Sequence, residues 1–168
     1  MSADEIAIYG AVLLKWTAGD RSPVNVSLET HPLDVTSHSN AISCNCLRSI
    51  EEDSLFAAYH SVHILTPAVL PGKNMKLVDA DEQSTVVAKN DPGNSIRNGK
   101  SVETAVADAF ATGLFSLSEI AFDKEHRHAI VSYNFECGML CGSGRTLVFE
   151  KVGNEWRRTD LECGGWVS

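Results

Sequence analysis

The stretch AIVSYNF at residues 129–135 decides the fold class of this chain, because an apolar side chain stands at every second position. These positions are Ala129, Val131, Tyr133 and Phe135. A period of two places such side chains on one face of a β-strand, whereas a helix needs a period near 3.6. The stretch LVFEK at residues 147–151 repeats the alternation, so the second half of the chain is predicted to consist mainly of strands.

Short connections between these segments predict strands that run antiparallel to their neighbours. The alternating segments are residues 117–122, 129–135, 147–151 and 155–161, and the connections are 123–127, 136–144 and the turn Gly153-Asn154. We therefore expect a continuous antiparallel meander from Leu117 to Leu161, with no helix between Ala129 and Val152.

Three segments before the meander have the helical period, and each follows a serine that can cap it. The helices are predicted from Asp4 to Trp16, from Ile50 to Leu65 and from Val102 to the residue before Gly113, after Ser2, Ser49 and Ser101. Ser2 and Ser49 also have a glutamate three residues later, which completes a capping box. Gly113 stands where a left-handed glycine would end the third helix. The shared apolar face of that helix comprises Val102, Ala105, Val106, Ala109 and Phe110.

The remaining segments predict short strands and loops. Val24 to Leu28 alternates and is expected to be a half-buried strand, and residues 75–80 and 84–89 are short strand candidates. Residues 30–45 have no steady period, and residues 90–99 are rich in turn formers. Both segments are therefore predicted to be loops.

No repeat or linker divides the chain, so residues 1–168 are expected to form one α+β domain. In this domain about three helices pack on a mostly antiparallel sheet. One core is expected to gather the aromatic side chains that lie on apolar faces of these elements. They are Trp16, Phe56, Tyr59, Phe110, Phe122, Tyr133, Phe135 and Phe149.

Composition and charge exclude several classes of protein. The 14 Lys and Arg residues stand against 22 Asp and Glu residues, a net charge of -8 that argues against a nucleic acid partner. No apolar run is long enough to span a bilayer, and the acidic start MSADE is unlike a signal peptide. We therefore expect no nucleic acid partner and no membrane span.

Five cysteines carry the most specific chemistry in the sequence. They are Cys44 and Cys46 before the second helix, Cys137 and Cys141 in a glycine-rich loop, and Cys163 in the C-terminal tail. A tight turn can bring residues four apart within reach of a disulfide, and Gly138 and Gly142 supply the necessary backbone freedom. A disulfide between Cys137 and Cys141 is therefore predicted.

The other cysteines leave several interpretations open. Either Cys44 or Cys46 would pair with Cys163, which leaves one thiol unpaired. Buried reduced thiols, a zinc site and a catalytic cysteine are the alternatives, and the first two apply to Cys137 and Cys141 as well. The spacing of Cys44 and Cys46 is poor for a zinc knuckle, so no metal and no cofactor are predicted.

Other polar residues provide weaker candidates for a site. The pair His60/His63 is predicted to be a polar pair on the flank of a helix and not a metal site, and His126/His128 to be exposed to solvent and not catalytic. The set His31, Asp34, His38 and Ser39 contains the ingredients of a hydrolase site, although triads assemble in space and not in sequence.

The run Gly142-Ser143-Gly144-Arg145 has two interpretations. Its backbone N–H groups and the arginine could cradle an anion. The run lacks a strand–loop–helix context, so its glycines are expected instead to supply positive φ angles for a tight strand connection.

Five motifs occupy the last third of the chain. They are SEIAF at 118–122, AIVSY at 129–133, CGMLCGSG at 137–144, FEKVGNEW at 149–156 and WVS at 166–168. Together they resemble a family of uncharacterised bacterial proteins, many of which are exported. The resemblance implies a periplasmic or secreted location and disulfide-bonded cysteines, with the cytoplasm as the alternative because no signal peptide is evident. The last hairpin, with Gly153 and Trp156, is also similar to that of NTF2-like and cystatin-like folds.

Two classes of function remain open at this point. The first is a non-enzymatic binding module that captures a macromolecule or a ligand, since no acid–base or nucleophile constellation is evident. The second is an NTF2-like small-molecule-binding protein, or a small hydrolase or isomerase, with a pocket between helices and sheet. A deep pocket that contains a His or Asp with a strongly perturbed pKa would favour the second class, and a flat surface without a pocket would favour the first.

Overall fold

A computed structural model describes residues 1–16, 23–33 and 52–168 and shows an α+β fold. Its α-helices are α1 (Ala3–Trp16), α2 (Glu52–His60), α3 (Ala80–Lys89), α4 (Pro92–Arg97) and α5 (Val102–Thr112), with a 3-10 helix at Pro67–Val69. Its strands are β1 (Val24–Ser27), β2 (Met75–Val78), β3 (Leu114–Leu117), β4 (Ala121–Phe122), β5 (His128–Gly138), β6 (Cys141–Val152) and β7 (Glu155–Val167). No helix among these is long and apolar enough to cross a membrane.

The strands form one mixed sheet in the order β2-β1-β3-β5-β6-β7, with the short β4 pairing beside β3 along β5. The expected C-terminal meander is confirmed, because β3, β4 and β6 pair antiparallel with β5, and β7 pairs antiparallel with β6. The first half of the sheet differs, since β1 runs parallel to both β2 and β3.

The central position of β1 overturns the expectation of a half-buried strand. All four of its residues are buried, including the polar Asn25 and Ser27. Asn25 Nδ2 donates hydrogen bonds to the carbonyl oxygens of Ala111 (3.3 Å) and Gly113 (2.9 Å), which compensates its burial. Alternation in this segment therefore reflects satisfied polar groups in the core and not a solvent-facing side.

Helix α1 packs on the sheet as its period predicts. Its buried residues are Ile8, Tyr9, Val12 and Leu13. The capping box forms, since the Ser2 N–H donates to the Glu5 carboxylate and the Glu5 N–H donates to Ser2 Oγ at 3.2 Å. The N-terminal end is held over β6 because Lys151 Nζ donates to both carboxylate oxygens of Asp4, at 2.9 and 3.0 Å.

Residues 84–89 belong to helix α3, so the predicted strand there is wrong. The Glu82 N–H donates to Asp79 Oδ1 at 2.9 Å, which caps the helix. Gln83 and Val87, four residues apart, form the buried stripe. Only two buried positions are needed to hold a short helix, too few for a period to be evident in the sequence.

Residues 90–99 were predicted to be a loop, and this too is wrong because they contain α4. Asp91 caps this helix by accepting a hydrogen bond from the Asn94 N–H at 2.8 Å, and Pro92 occupies the first turn. Proline is favoured there because its missing N–H would have had no helical partner.

Helix α2 is shorter than expected and ends at His60 instead of Leu65. The residues after His60 run extended beside residues 28–30, which follow β1. There the Thr30 N–H donates to the His63 carbonyl at 2.9 Å. Ile64 forms an isolated antiparallel bridge with Glu29. Pairing with an existing edge therefore replaces the last helical turn. Ser49, the predicted cap, lies outside the described residues.

Helix α5 begins after the predicted cap, since the Thr104 N–H donates to Ser101 Oγ at 3.2 Å. Gly113 has φ -56°, so the predicted left-handed C-cap is wrong. A Cβ at this position would lie 2.5 Å from the Phe135 ring, so close approach explains the glycine. Only two alanines of the predicted face, Ala105 and Ala109, are buried.

The two hairpins of the meander are tighter and longer than expected. Residues 136–144 were predicted to be a loop, but only Met139 and Leu140 lie outside β5 and β6. Strand β7 continues to Val167 and does not end at Leu161, so Cys163 lies within the sheet and not in a tail.

The predicted aromatic core is correct for part of its members. Phe135 and Phe149 are buried in the main core, and Trp16, Phe122 and Tyr133 pack against it half-buried. Tyr59 packs instead against a second cluster that includes Leu33, Ile130 and Val148. Phe56 and Phe110 are exposed, so their assignment to the core is wrong. Phe56 stacks on His60 at 4.2 Å along the outer side of α2.

Candidate ligand-binding site

A cavity of about 470 Å³ lies between helix α1 and strands β5, β6 and β7. Its described lining residues are Ala11, Val12, Lys15, Trp16, Tyr133, Arg145, Leu147, Phe149 and Arg158. The volume lies within the range of about 300–1,000 Å³ that is usual for small-molecule sites.

The floor of the cavity is apolar and belongs to the main core. Val12, Leu147 and Phe149 are 4%, 2% and 1% exposed. Leu147 and Phe149 point to the same side of β6 because they are two residues apart, and Val12 faces them from α1. Little of this floor is open to water, so the apolar area that a ligand could cover comes mainly from the half-buried Ala11, Trp16 and Tyr133.

Aromatic rings form one wall. The Trp16 ring lies 5.6 Å from the Tyr133 ring and 5.3 Å from the Phe115 ring, measured between centroids. Trp16 and Tyr133 are half-buried, so one side of each is available to the cavity. Such rings offer flat apolar area with little entropy to lose on binding.

Three cations stand at the rim. Lys15 and Arg145 are exposed and Arg158 is half-buried, whereas the floor beneath them is closed to water. Arg145 lies two residues before Leu147 on β6, and Arg158 pairs with Phe149 across β6 and β7. Lys15 and Arg158 also line a neighbouring hollow of about 270 Å³ with Thr159 and Asp160.

The charges at the rim of the cavity come from the end of helix α1 and from the side chains of the lining. Helix α1 ends at Trp16, and its terminal carbonyls place about half a negative charge there. Lys15, Arg145 and Arg158 place three cations among the described lining residues, and the Asp160 carboxylate lies beside Lys15 and Arg158 in the neighbouring hollow. The described lining residues contribute no carboxylate, in a chain whose net charge is -8.

The predicted cysteine pair lies away from this cavity. Cys137 and Cys141 form a disulfide with Cα atoms 5.0 Å apart, as the sequence predicted. Gly138 has φ +149°, which agrees with the freedom expected of it. Cys163 is buried and also disulfide-bonded. Cys44 and Cys46 lie outside the described residues.

The run from Gly142 to Arg145 is neither an anion cradle nor a loop with positive φ angles. All four residues lie in β6 and pair with β5 or β7 on either side, so the backbone groups serve the sheet. Cβ atoms on Gly142 and Gly144 would approach the Trp166 ring to 2.9 and 2.3 Å. Room for that ring explains both glycines, and only Arg145 reaches the cavity.

The histidine pairs separate in the structure. His60 and His63 do not share a helix face, since α2 ends at His60. The His60 Nδ1 lies 2.8 Å from the Phe56 carbonyl, and the exposed His63 donates from Nδ1 to Glu119 Oε2 at 2.7 Å. His126 stacks on Phe122 at 4.9 Å. His128 donates to Asp123 at 2.7 Å.

Glu119 is a buried carboxylate that sequence analysis did not single out. It is 5% exposed and accepts hydrogen bonds from Thr30 Oγ1 and from His63. The hydrogen bond between His63 and Glu119 anchors the segment after α2 to the loop after β3. The nearby Tyr9 hydroxyl donates to the Ser118 carbonyl at 2.9 Å. Burial, followed by the charge of Glu119, raises the pKa of Tyr9 above its usual range. The cluster thus has a structural role beneath α1.

Asp123 forms a similar pair at the β4–β5 turn. Burial alone would raise the pKa of this carboxyl, but hydrogen bonds from His128 and from the N–H of Arg127 outweigh it, so the pKa lies below its usual value. His31 lies near Asn134, whereas Asp34, His38 and Ser39 lie outside the described residues. The described residues contain no group of three His, Cys, Asp or Glu side chains placed to hold a metal ion.

Most cavity residues were missed at the level of sequence. A signal was present, because Ala11 and Lys15, and likewise Val12 and Trp16, are four apart on α1, while Arg145 joins the alternation of Leu147 and Phe149. What the sequence does not contain is the pairing of α1 with β6, which brings these two faces together.

Comparisons of the chain with family models, with curated proteins and with solved structures gave no match. The resemblance to an uncharacterised bacterial family, and the likeness to NTF2-like and cystatin-like folds, therefore stay predictions.

Proposed function

We propose that this protein binds a small, partly apolar molecule in the cavity between α1 and strands β5–β7. The observation that carries the proposal is an apolar floor at the base of a cavity of about 470 Å³, walled by Trp16 and Tyr133. Ligand sites commonly combine a mostly apolar lining with a few polar groups that fix orientation.

The titratable side chains of the described lining support binding over catalysis. They are two arginines, a lysine and a tyrosine, which orient a ligand or stabilise charge. Two carboxylate–histidine pairs occur among the described residues, Glu119 with His63 and Asp123 with His128, and they line other parts of the surface. Ligand capture is therefore preferred to the hydrolase or isomerase alternative, and macromolecular capture stays a prediction without a surface assigned to it.

A fluorescence titration with the neutral dye N-phenyl-1-naphthylamine tests the site. Ala11 is half-buried and lines the cavity, so the Ala11→Trp variant should fill the cavity and weaken dye binding at least tenfold. Ala7→Trp is the matched control, because Ala7 is exposed one turn earlier on the same helix. Its affinity should equal that of the parent protein.

Thermal unfolding of both variants shows whether they fold. If a folded Ala11→Trp variant binds the dye as tightly as Ala7→Trp does, the cavity is not the binding site. If the parent protein binds neither this dye nor its sulfonated analogue 1-anilinonaphthalene-8-sulfonate, the proposed function is wrong.

We further propose that the chain functions in an oxidising compartment, as its disulfides support. Cysteines paired in the periplasm or outside the cell resist alkylation until they are reduced. Quenching the host cells in trichloroacetic acid, which traps the thiols in their native state, and then alkylating the denatured protein with a maleimide of high mass should therefore leave Cys137 and Cys141 unlabelled. Labelling without prior reduction would place the protein in a reducing compartment.

A further inference from the structure

We infer that the ligand of this cavity is an amphipathic organic anion, whose apolar body lies on the floor and whose carboxylate or sulfonate group lies at the rim. The inference rests on the proposed function, because it names the class of molecule that the same cavity takes.

The lining of the cavity changes from apolar side chains at its base to charged side chains at its rim. Val12, Leu147 and Phe149 at the base are almost inaccessible to water, whereas Lys15 and Arg145 above them are exposed. A uniformly polar molecule would be a poor match for the half-buried rings of Trp16 and Tyr133, and a uniformly apolar one would take the cations out of water without pairing them. An apolar body with an anionic end satisfies both layers.

Positive charge is concentrated at the rim of the cavity. Acidic residues exceed basic ones by 22 to 14 in the whole chain, yet the described lining carries three cations and no carboxylate. The three cations come from separate elements, α1, β6 and β7, so they converge only in the fold. Charges gathered at one mouth raise the local concentration of an anion and the rate of its entry.

The planar guanidinium groups at the rim favour a planar or forked anionic group. Arg145 and Arg158 are guanidinium groups, which match the planar oxygens of a carboxylate or sulfonate better than a lysine does. Arg145 pairs in the sheet directly opposite Tyr133 on β5, so the cation stands beside the aromatic wall. A ring against Trp16 and Tyr133 would therefore bring an attached acid group within reach of Arg145.

Two dyes that differ in one sulfonate group test the inference. The probes are 1-anilinonaphthalene-8-sulfonate, which is an anion, and the neutral N-phenyl-1-naphthylamine, which has the same ring system. We expect the anion to bind the parent protein at least tenfold more tightly, and raising the ionic strength from about 0.05 to 0.5 M to weaken only the anion.

Charge-removing variants locate the effect. Lys15→Gln and Arg158→Gln should each weaken binding of the anion about two- to fivefold and leave the neutral dye within twofold. Arg157→Gln is the matched control. Arg157 is exposed next to Arg158 on β7 and pairs with Glu155 at 3.0 Å, outside the cavity lining.

The outcomes separate the two proposals. Equal affinity for both dyes, or equal effects of Arg157→Gln and Arg158→Gln on the anion, overturns the inference and leaves small-molecule binding intact. Failure of both dyes to bind overturns the proposed function and the inference with it. The Ala11→Trp variant must abolish anion binding as well, because binding that survives a filled cavity would occur elsewhere and also overturn the inference.

Discussion

The indole Nε1–H of Trp166 donates a hydrogen bond to Asn134 Oδ1 over 3.0 Å, across the full width of strand β6. Asn134 on β5 lies opposite Gly144 on β6, and Gly144 lies opposite Trp166 on β7. A Cβ on residue 144 would lie 2.3 Å from each of the two bonded atoms. The bond that ties β5 to β7 therefore exists because the residue between them has no side chain.

Gly144→Ala should lower the free energy of unfolding by about 2–4 kcal/mol, because the added methyl group overpacks the site and breaks a half-buried hydrogen bond. Urea unfolding monitored by tryptophan fluorescence measures the change. A loss below about 0.5 kcal/mol would contradict this account of the glycine.

Gly10→Ala should have the opposite sign and stabilise the protein by about 0.5–1 kcal/mol. Gly10 lies inside α1, and a Cβ there would meet only the Val69 carbonyl oxygen at an ordinary 3.7 Å. Alanine restricts the unfolded chain without crowding the folded one. The same urea experiment checks the pair, and a destabilised Gly10→Ala variant would show that α1 packs more closely on the 3-10 helix than the structure has it.

Asp91→Asn should destabilise the protein by about 1–3 kcal/mol at neutral pH. Asp91 Oδ1 accepts from the Asn94 N–H at 2.8 Å, and its Oδ2 accepts from the Met139 N–H at 2.8 Å. An asparagine can still cap α4, but its NH2 group would face the Met139 N–H, donor against donor. The measurement is the urea midpoint at pH 7. Wild-type stability in this variant would mean that the contact from α4 to the β5–β6 turn contributes nothing.

Acid should weaken the protein in a pH range set by the same carboxylate. Hydrogen bonds from the N–H groups of Asn94 and Met139 hold the pKa of Asp91 below its usual value. The unfolded chain then binds a proton near pH 4 while the folded one does not, so stability is retained above about pH 4 and lost as the pH falls through the folded pKa. Urea midpoints between pH 6 and 2.5 should decline less steeply for Asp91→Asn than for the parent protein. Parallel curves would show that other carboxylates account for the acid response.

The double variant Cys137→Ala/Cys141→Ala should lose no more than about 2 kcal/mol of stability, because constraint of the unfolded chain is small for so short a loop. Mass spectrometry of an unreduced, alkylated digest of the parent protein first establishes the pairing, and label on both cysteines would rule it out. A much larger loss in the double variant would mean that the disulfide holds more than its own turn, for which the Met139 N–H bonded to Asp91 is the nearest candidate.

The elements that could be predicted from the sequence are those in which the spacing of apolar residues itself indicates a helix or a strand. Helix α1 and the hairpins of the meander are of this kind, since local period and turn residues decide them. Helix α3 buries only Gln83 and Val87 behind its capping Asp79, and α4 buries only Ser95. Neither segment therefore has a helical period that is evident in the sequence. Tertiary contacts decide these segments.

The candidate site was less accessible to prediction than the fold. Arg145 was noticed as part of a glycine-rich run, but its meaning changed once Gly142 and Gly144 proved to accommodate Trp166. Phe149 was expected in the core, and the role of Val12, Leu147 and Phe149 as a cavity floor depends on a space that α1 leaves above β6. A sequence shows which side chains are apolar, and it does not show where packing between them is incomplete.

The place of β1 has a consequence for synthesis on the ribosome. Its parallel partners β2 and β3 begin at Met75 and Leu114, far along the chain. Residues 24–27 therefore stay unpaired early in synthesis, and they can pair with β3 only after that strand has left the exit tunnel. Strands β5, β6 and β7, by contrast, are joined by turns of a few residues and can form their hairpins as they emerge from the ribosome. Until then the first strand of the nascent chain has apolar side chains and unpaired edges on both sides, the condition under which newly made chains are prone to aggregate or to engage a chaperone.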